Sequence, residues 1–226
     1  MEKYYKAYDG RYKVIHETTG KAWAGTTPTY ILKDILTKYG ATKNSSILEV
    51  GCGEGQNALF LQKENFNVLA SDVSAAGIKW CKQKANENGI DENKYFVLDI
   101  VDNNYTEKFD YIYSISTLHM FVLDEDRKAF FDFMHNHLND CGVAIITSMG
   151  NGEFERHNSD ITKAFDLAER EFENTIVKVN STTCRIVNWQ QILNEAKASN
   201  LKVLDNFVSE EISGFNVSMV LILTKE

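Results

Sequence analysis

The stretch "ILEVGCGEGQNALFL", Ile47 to Leu61, limits what this chain can fold into more than any other. Ile47, Leu48 and Val50 read as a short buried strand, and Ala58, Leu59 and Leu61 suit the inner face of a following helix. Gly51, Gly53 and Gly55 occupy the seam. Glycines there let the backbone turn sharply and let a ligand approach without meeting a Cβ, while the first N–H groups of the helix face whatever docks. Such a strand–turn–helix unit predicts an α/β sheet with a nucleotide-type ligand at the carboxyl end of its first strand.

The chain continues in that pattern. "NVLASD", "KYFVLD", "FDYIYSIS" and "GVAIITSM" read as further strands, separated by the helices "SAAGIKWCKQKANENG", capped by Ser74, and "DEDRKAFFDFMHNHLND". The alternation predicts right-handed crossovers, with helices on both faces of a parallel sheet. "NWQQILNEAKASN" reads as a last helix capped by Asn188, and "LKVLDNFVS" and "FNVSMVLILTK" follow as an antiparallel pair. Upstream, "TTPTYILKDILTKYG" reads as a helix with Thr27 as N-cap, Pro28 in its first turn and Gly40 as its stop. Residues 150–187 are too long for a plain connection. There "SDITKAFDLAEREFEN" has helical spacing, and "TIVKVNSTTCRIV" reads as two strands around Asn180 and Ser181. Lying after a parallel strand, this insertion falls on the ligand rim and is expected to act as a lid. One domain is predicted, with a helical cap over 1–44, a cofactor-binding core over 45–149, the lid over 150–187 and a closing helix and strand pair over 188–226.

A net charge of -8 offers no broad basic face for a phosphate backbone, so a small molecule is expected as partner and nucleic acid is not. Cys52, Cys81, Cys141 and Cys184 are far apart with no CxxC pair, which predicts reduced thiols and no metal site. The first residues, "MEKYYKAYDGRYK", have no apolar run, and no stretch reaches membrane-spanning length. The expectation is a cytoplasmic protein with no membrane partner.

Carboxylates narrow the ligand. Asp72 closes the second predicted strand, where it can accept hydrogen bonds from both ribose hydroxyls, and Asp99 ends the third, where it can accept from an adenine amino group. Gln56 stands where a GxGxxG pyrophosphate fingerprint starting at Gly51 requires glycine. Glu49, just before the turn, repels a pyrophosphate but can help hold an ammonium group. Three acids around one pocket suit a cationic adenosyl ligand.

In order and spacing, "ILEVGCGEG", "ASDVS", "FVLDI", "FDYIYSISTLHMF" and "GVAIITSMG" resemble the motif series of class I S-adenosylmethionine-dependent methyltransferases. The similarity runs from about Ser46 to the C-terminus, and within that family the chain looks closest to the tellurite-resistance and thiol methyltransferase branch. The resemblance implies a Rossmann-like, seven-stranded, mostly parallel sheet with one antiparallel edge strand. It also implies S-adenosylmethionine as cofactor, S-adenosylhomocysteine as product and a small-molecule methyl acceptor. Carried over by residue, it assigns Gly51, Cys52 and Gly53, with Gly55 in the same turn, to the methionine part and ribose. Glu49 would organise the ammonium through water, Asp72 would take the ribose and Val73 would stack on the adenine. Asp99 and Ile100 would bind the adenine ring, and the Ser114 carbonyl would face the ammonium. An NAD-type oxidoreductase and a non-catalytic cofactor-binding regulator are the alternative readings.

On the acceptor side, His119 in "STLHMF" is the candidate general base. Tyr4, Tyr8, Tyr12 and Trp23 are candidate pocket walls. Glu153 and His157 sit on the same rim, and Arg185 can anchor a carboxylate or form a lid salt bridge.

Overall fold

The computed structural model describes residues 2–158 and 160–226. Met1 of the predicted cap and Ser159 of the predicted lid helix lie outside them. A 3-10 turn, Tyr4–Lys6, leads into α1 (Ala7–Thr19), and α2 (Ile31–Lys38) precedes the sheet. Then come β1 (Ile47–Val50), α3 (Gln56–Lys63), β2 (Val68–Asp72), α4 (Ala75–Glu87), β3 (Tyr95–Val97) and β4 (Phe109–Ser114). They are followed by α5 (Asp124–His137), β5 (Leu138–Met149), β6 (Arg156–Asn158), β7 (Leu167–Phe172), β8 (Thr175–Asn180) and β9 (Cys184–Ile186). The chain closes with α6 (Trp189–Ala198), β10 (Leu201–Ser209) and β11 (Ser218–Lys225).

Seven strands form one sheet in the order β10-β11-β5-β4-β1-β2-β3. β1 pairs in parallel with both β2 and β4, while β11 runs antiparallel to both β5 and β10 at one side of the sheet. The central strands are apolar on both faces because both faces are covered, while the edge strand β10 alternates exposed residues with buried or half-buried ones. Leu48, Val50, Ile112, Ala144, Ile146, Leu221 and Leu223 pack with Phe130, Phe131 and Met134 of α5 and Ile192 of α6. Ile47, Val68, Ala70, Ile145, Val220 and Ile222 pack with Leu32 and Leu36 of α2, Leu61 of α3 and Ile78 of α4. Chain order reverses between β1 and β4, and a doubly wound sheet opens a crevice at such a switch point.

Two expected elements differ. α2 begins at Ile31, so Thr27 does not cap it and Pro28 precedes it; the Leu32 N–H instead donates to the Thr29 carbonyl at 3.1 Å. The predicted lid helix is absent: after a 3-10 turn at Ile161–Lys163 the chain forms the antiparallel hairpin β7–β8. Its two-residue loop, Glu173 and Asn174, has positive φ at both positions, the geometry that matches strand twist. The helical spacing of Ile161, Phe165, Ala168 and Phe172 yields to tertiary packing, because Val177 and Val179 of β8 bury against Ile15 of α1. β9 pairs with β6 and not with β8, so the two strands expected around Asn180 and Ser181 belong to different sheets.

Candidate active site

Above the carboxyl ends of β1, β2, β4 and β5 lies a cavity of about 560 Å³. One wall comes from the sheet and carries Glu49, Gly51, Cys52, Gly53, Asp72, Val73 and the Ile115–Thr117 segment. Gly53 has φ +55, and a Cβ there would stand 2.8 Å from the Tyr12 hydroxyl, so both the conformation and the closeness of α1 require glycine. The Asp72 carboxylate accepts the Gly53 N–H and the Ser74 N–H, both at 2.8 Å, which fixes it at the cavity edge with lone pairs to spare. Burial raises its pKa, and the two N–H groups oppose that rise.

Glu49 is buried on the same wall. Tyr113 donates to it at 3.1 Å and Asn57 at 3.4 Å, yet burial outweighs both bonds and raises its pKa to about 8. Without a ligand this carboxyl is protonated at neutral pH. A cation beside it would supply the charge that its surroundings lack.

The opposite wall is aromatic. Tyr5, Tyr8 and Tyr12 reach it from the N-terminal turn and α1, Trp23 from the following loop, Phe121 from the stretch before α5, and Phe215 from the β10–β11 connection. Polar clamps hold this wall in place. Asp9 accepts the Ser74 hydroxyl and the Ala76 N–H, both at 2.8 Å, docking α1 on the start of α4. Glu54, inside the glycine turn, accepts the Trp23 and Ala24 N–H groups at 2.7 and 2.8 Å and lies 2.6 Å from His16 Nε2. Arg11 donates to the Asn180 and Ser181 carbonyls, tying the β7–β8 hairpin to α1, and stacks over Tyr8 and Trp23.

Several expected positions differ. Asp99 and Ile100 do not line the cavity. Tyr5 donates to Asp99 at 3.0 Å and Lys6 pairs with it at 2.9 Å, so its carboxylate serves the cap, and Tyr5 stands on the wall in its place. Gly55 lies beneath the wall, where a Cβ would come 2.8 Å from Cys81 Sγ; its glycine permits helix packing. Ser114 donates its hydroxyl to the Val50 carbonyl at 2.8 Å, and the cavity begins one residue later, at Ile115. Tyr4 is a buried strut whose hydroxyl accepts the Val122 and Leu123 N–H groups. Arg185 donates to the Val122 carbonyl at 2.9 Å and to Asp124 at 2.6 Å, the lid salt bridge among its two readings. Glu153 and His157 are exposed and off the cavity.

His119 does line the cavity and is completely buried, but not as the expected base. Burial, and secondarily the Arg127 guanidinium, lower its pKa to about 3, far below the working range of a general base at neutral pH. Sequence reasoning missed Asp9, Arg11, Glu54 and Asn57. Glu54 alone left a signal, a carboxylate inside a glycine turn.

Residues 47–142 match the family model for a methyltransferase domain. Over 120 residues the chain is 28% identical to a ubiquinone biosynthesis O-methyltransferase of Rickettsia canadensis, an overlap covering 53% of this chain and 49% of that one. It spans about half the length of the curated relatives it matches. Its fold superposes on an S-adenosylmethionine-dependent methyltransferase from Clostridium acetobutylicum with a TM-score of 0.67, at 17% identity over 87% of this chain and 90% of that one. A TehB-like S-adenosylmethionine-dependent methyltransferase from Corynebacterium glutamicum gives 0.59, at 20% identity over 98% of each chain. Residues 47–142 thus match a methyltransferase domain, and the fold of the chain is the one seen in solved S-adenosylmethionine-dependent methyltransferases.

The residues fit that cofactor. Gln56 Oε1 and Ser116 Oγ, in residues that line the cavity, are buried without a hydrogen-bond partner among the described residues, as atoms awaiting a polar ligand would be. Glu49 and Asp72 supply acceptors and no basic side chain stands beside them on the sheet wall, a donor set suited to a cationic, hydroxyl-bearing molecule.

Proposed function

We propose that this chain binds S-adenosylmethionine in the cavity and transfers its methyl group to a small-molecule acceptor. One observation carries the reading: a single cavity has a wall of glycine backbone and carboxylates from the sheet, facing an aromatic wall from the cap and the β10–β11 connection. Asp72 would hold the ribose hydroxyls and Val73 the adenine face. Glu49 would answer the ammonium with Asn57 and Tyr113 behind it, and Gly51, Cys52 and Gly53 would line the methionine part with backbone. When bound, the cofactor supplies an electrophilic methyl group. The chain supplies alignment of the acceptor and exclusion of water, which account for large rate factors without an acid or base. α1 and the β7–β8 hairpin act as the lid, and 560 Å³ shared with the cofactor leaves room for a small acceptor. The matched relatives' O-methyltransferase names favour an oxygen nucleophile, while likeness to the thiol branch favours sulfur.

Calorimetric titration with S-adenosylmethionine, S-adenosylhomocysteine and NAD tests the first half, with micromolar binding of the adenosyl pair expected. Release of S-adenosylhomocysteine across a panel of thiols, phenols, amines and carboxylates tests the second. NAD binding in place of the adenosyl ligands would overturn the proposal.

A further inference from the structure

His119 is the one cavity-lining imidazole among the described residues. The Met149 backbone N–H donates to its Nδ1 at 3.4 Å. A backbone amide can only donate, so Nδ1 is the bare nitrogen and Nε2 carries the hydrogen. Nε2 is fully buried and has no hydrogen-bond partner among the described residues, and the ring stands edge-to-face with Phe215 at 5.2 Å. A buried donor left open in this way calls for an acceptor from a ligand.

The other groups on the wall leave the acceptor molecule no base. Glu49 is bonded by Tyr113 and Asn57 and, on the methyltransferase reading, paired with the ammonium of the cofactor, Glu54 is held by two N–H groups and His16, and Asp72 by two N–H groups. Tyr8 and Tyr12 are pushed by burial toward their neutral forms. Behind His119, Arg127 is buried and donates to the Leu118 and Phe121 carbonyls and to Glu195, which balances its charge.

Resting on the methyltransferase reading, we infer that His119 is a neutral hydrogen-bond donor that positions the nucleophilic atom of the acceptor, and that the acceptor reacts as an anion, a thiolate or phenolate-like oxygen. Its proton leaves to solvent before or on entry. The anionic sulfur or oxygen then gives its electron pair to the methyl carbon, and the carbon–sulfur bond of the cofactor breaks with its pair returning to sulfur. A negative and a positive charge become two neutral groups, so no proton has to be taken up by the chain. An aromatic-walled cavity favours that change, because separated charges cost most in low dielectric. A protonated amine has neither a base to take its proton nor a gain from His119.

4-Nitrophenol, whose anion is coloured, tests the assignment in the full-length protein, with and without S-adenosylhomocysteine. Bound probe should ionise about one pH unit lower than free probe, since a hydrogen bond to the charged form favours it. His119→Gln, which keeps an N–H at similar reach, should retain most of that shift, and His119→Ala should lose it. Long-range proton–nitrogen spectra of histidine-labelled wild type should show the His119 ring with hydrogen on Nε2 and no titration between pH 5 and 8, the normal range for the residue. That measurement decides the matter if the alanine variant does not fold. A His119 that titrates near neutrality, a hydrogen on Nδ1, or an equal probe shift in His119→Ala overturns the inference. Absence of S-adenosylhomocysteine binding instead overturns the methyltransferase reading, and the spectra and the cofactor-free probe titration still decide the state of His119.

Discussion

The two walls of the cavity are built differently. The wall proposed for the cofactor is made of strand ends and the turns leaving them, with Glu49, Gly51, Gly53, Asp72 and Val73 all set by the parallel register of β1 and β2. The wall proposed for the acceptor is assembled from segments distant in sequence, α1, the Trp23 loop, Thr182 to Cys184 after β8, and Phe215, and is held by clamps of carboxylate and guanidinium to backbone. The sheet wall shares the stability of the core. Tyr4, Tyr5, Ala7 and Phe121 pack in the main core, whereas the rest of the cap wall rests on polar bonds and a small apolar cluster of Ile15, Val177 and Val179 and is expected to open more readily than the sheet. On the proposed function, the molecule therefore separates what would bind the cofactor from what would admit the acceptor.

The sharpest test of that separation is at Asp72. Asp72→Ala should weaken S-adenosylmethionine binding about tenfold to a hundredfold, from charge-assisted hydrogen bonds that contribute roughly 1.5–3 kcal/mol. Calorimetry checks the affinity and thermal unfolding the fold. Unchanged affinity would take Asp72 out of the site and break the division between the walls.

Glu49 gives a pH signature. With its pKa raised to about 8, the folded chain keeps a proton that the unfolded chain releases near 4.5. Stability without ligand should therefore fall as pH rises from about 5 to about 8, the direction set when the folded state binds more protons. Asp72, also raised by burial, has the same sign. Pairing with an ammonium needs the ionised form, so S-adenosylmethionine affinity should rise by up to about tenfold per pH unit as pH approaches 8. Glu49→Gln should flatten both trends; titrations from pH 5.5 to 8.5 would show whether it does.

Glu54→Ala tests the other wall. Freeing the Trp23 and Ala24 N–H groups should speed hydrogen exchange in residues 7–24 and 167–180 while leaving β1 and β4 unchanged. The acceptor KM should rise by about tenfold, the loss expected from one or two charged hydrogen bonds, and cofactor affinity should change only a few-fold. Equal effects on both ligands would mean the two walls act as one.

The smallest change is expected from Tyr8→Phe, which keeps the ring and removes only the hydroxyl. The acceptor KM should move by a few-fold at most, with cofactor affinity at the wild-type value, in side-by-side kinetics.

The sheet, its reversed strand and the glycine turn were legible because each is written locally. Apolar runs of strand length, Ser74 and Asn188 as helix caps, and Asp72 at a strand end all act through neighbours in the chain. "DLAEREFEN" reads as helix for the same local reason, and fails because burying Val177 and Val179 against Ile15 outweighs helix propensity. Asp99 also reads as a ligand group by its strand-end position, and is claimed by Tyr5 and Lys6 from the far end of the sequence.

The sequence by itself determined the doubly wound sheet and the glycine and carboxylate wall of the cavity, since strand period, glycine turns and strand-end carboxylates depend on contacts within or between adjacent elements. Only the tertiary structure decided the acceptor wall and the state of its groups. Burial and long-range partners set whether Glu49 carries a proton, whether Arg11 binds carbonyls or a ligand, and that His119 is a neutral donor, and no local pattern encodes how far a side chain lies from water.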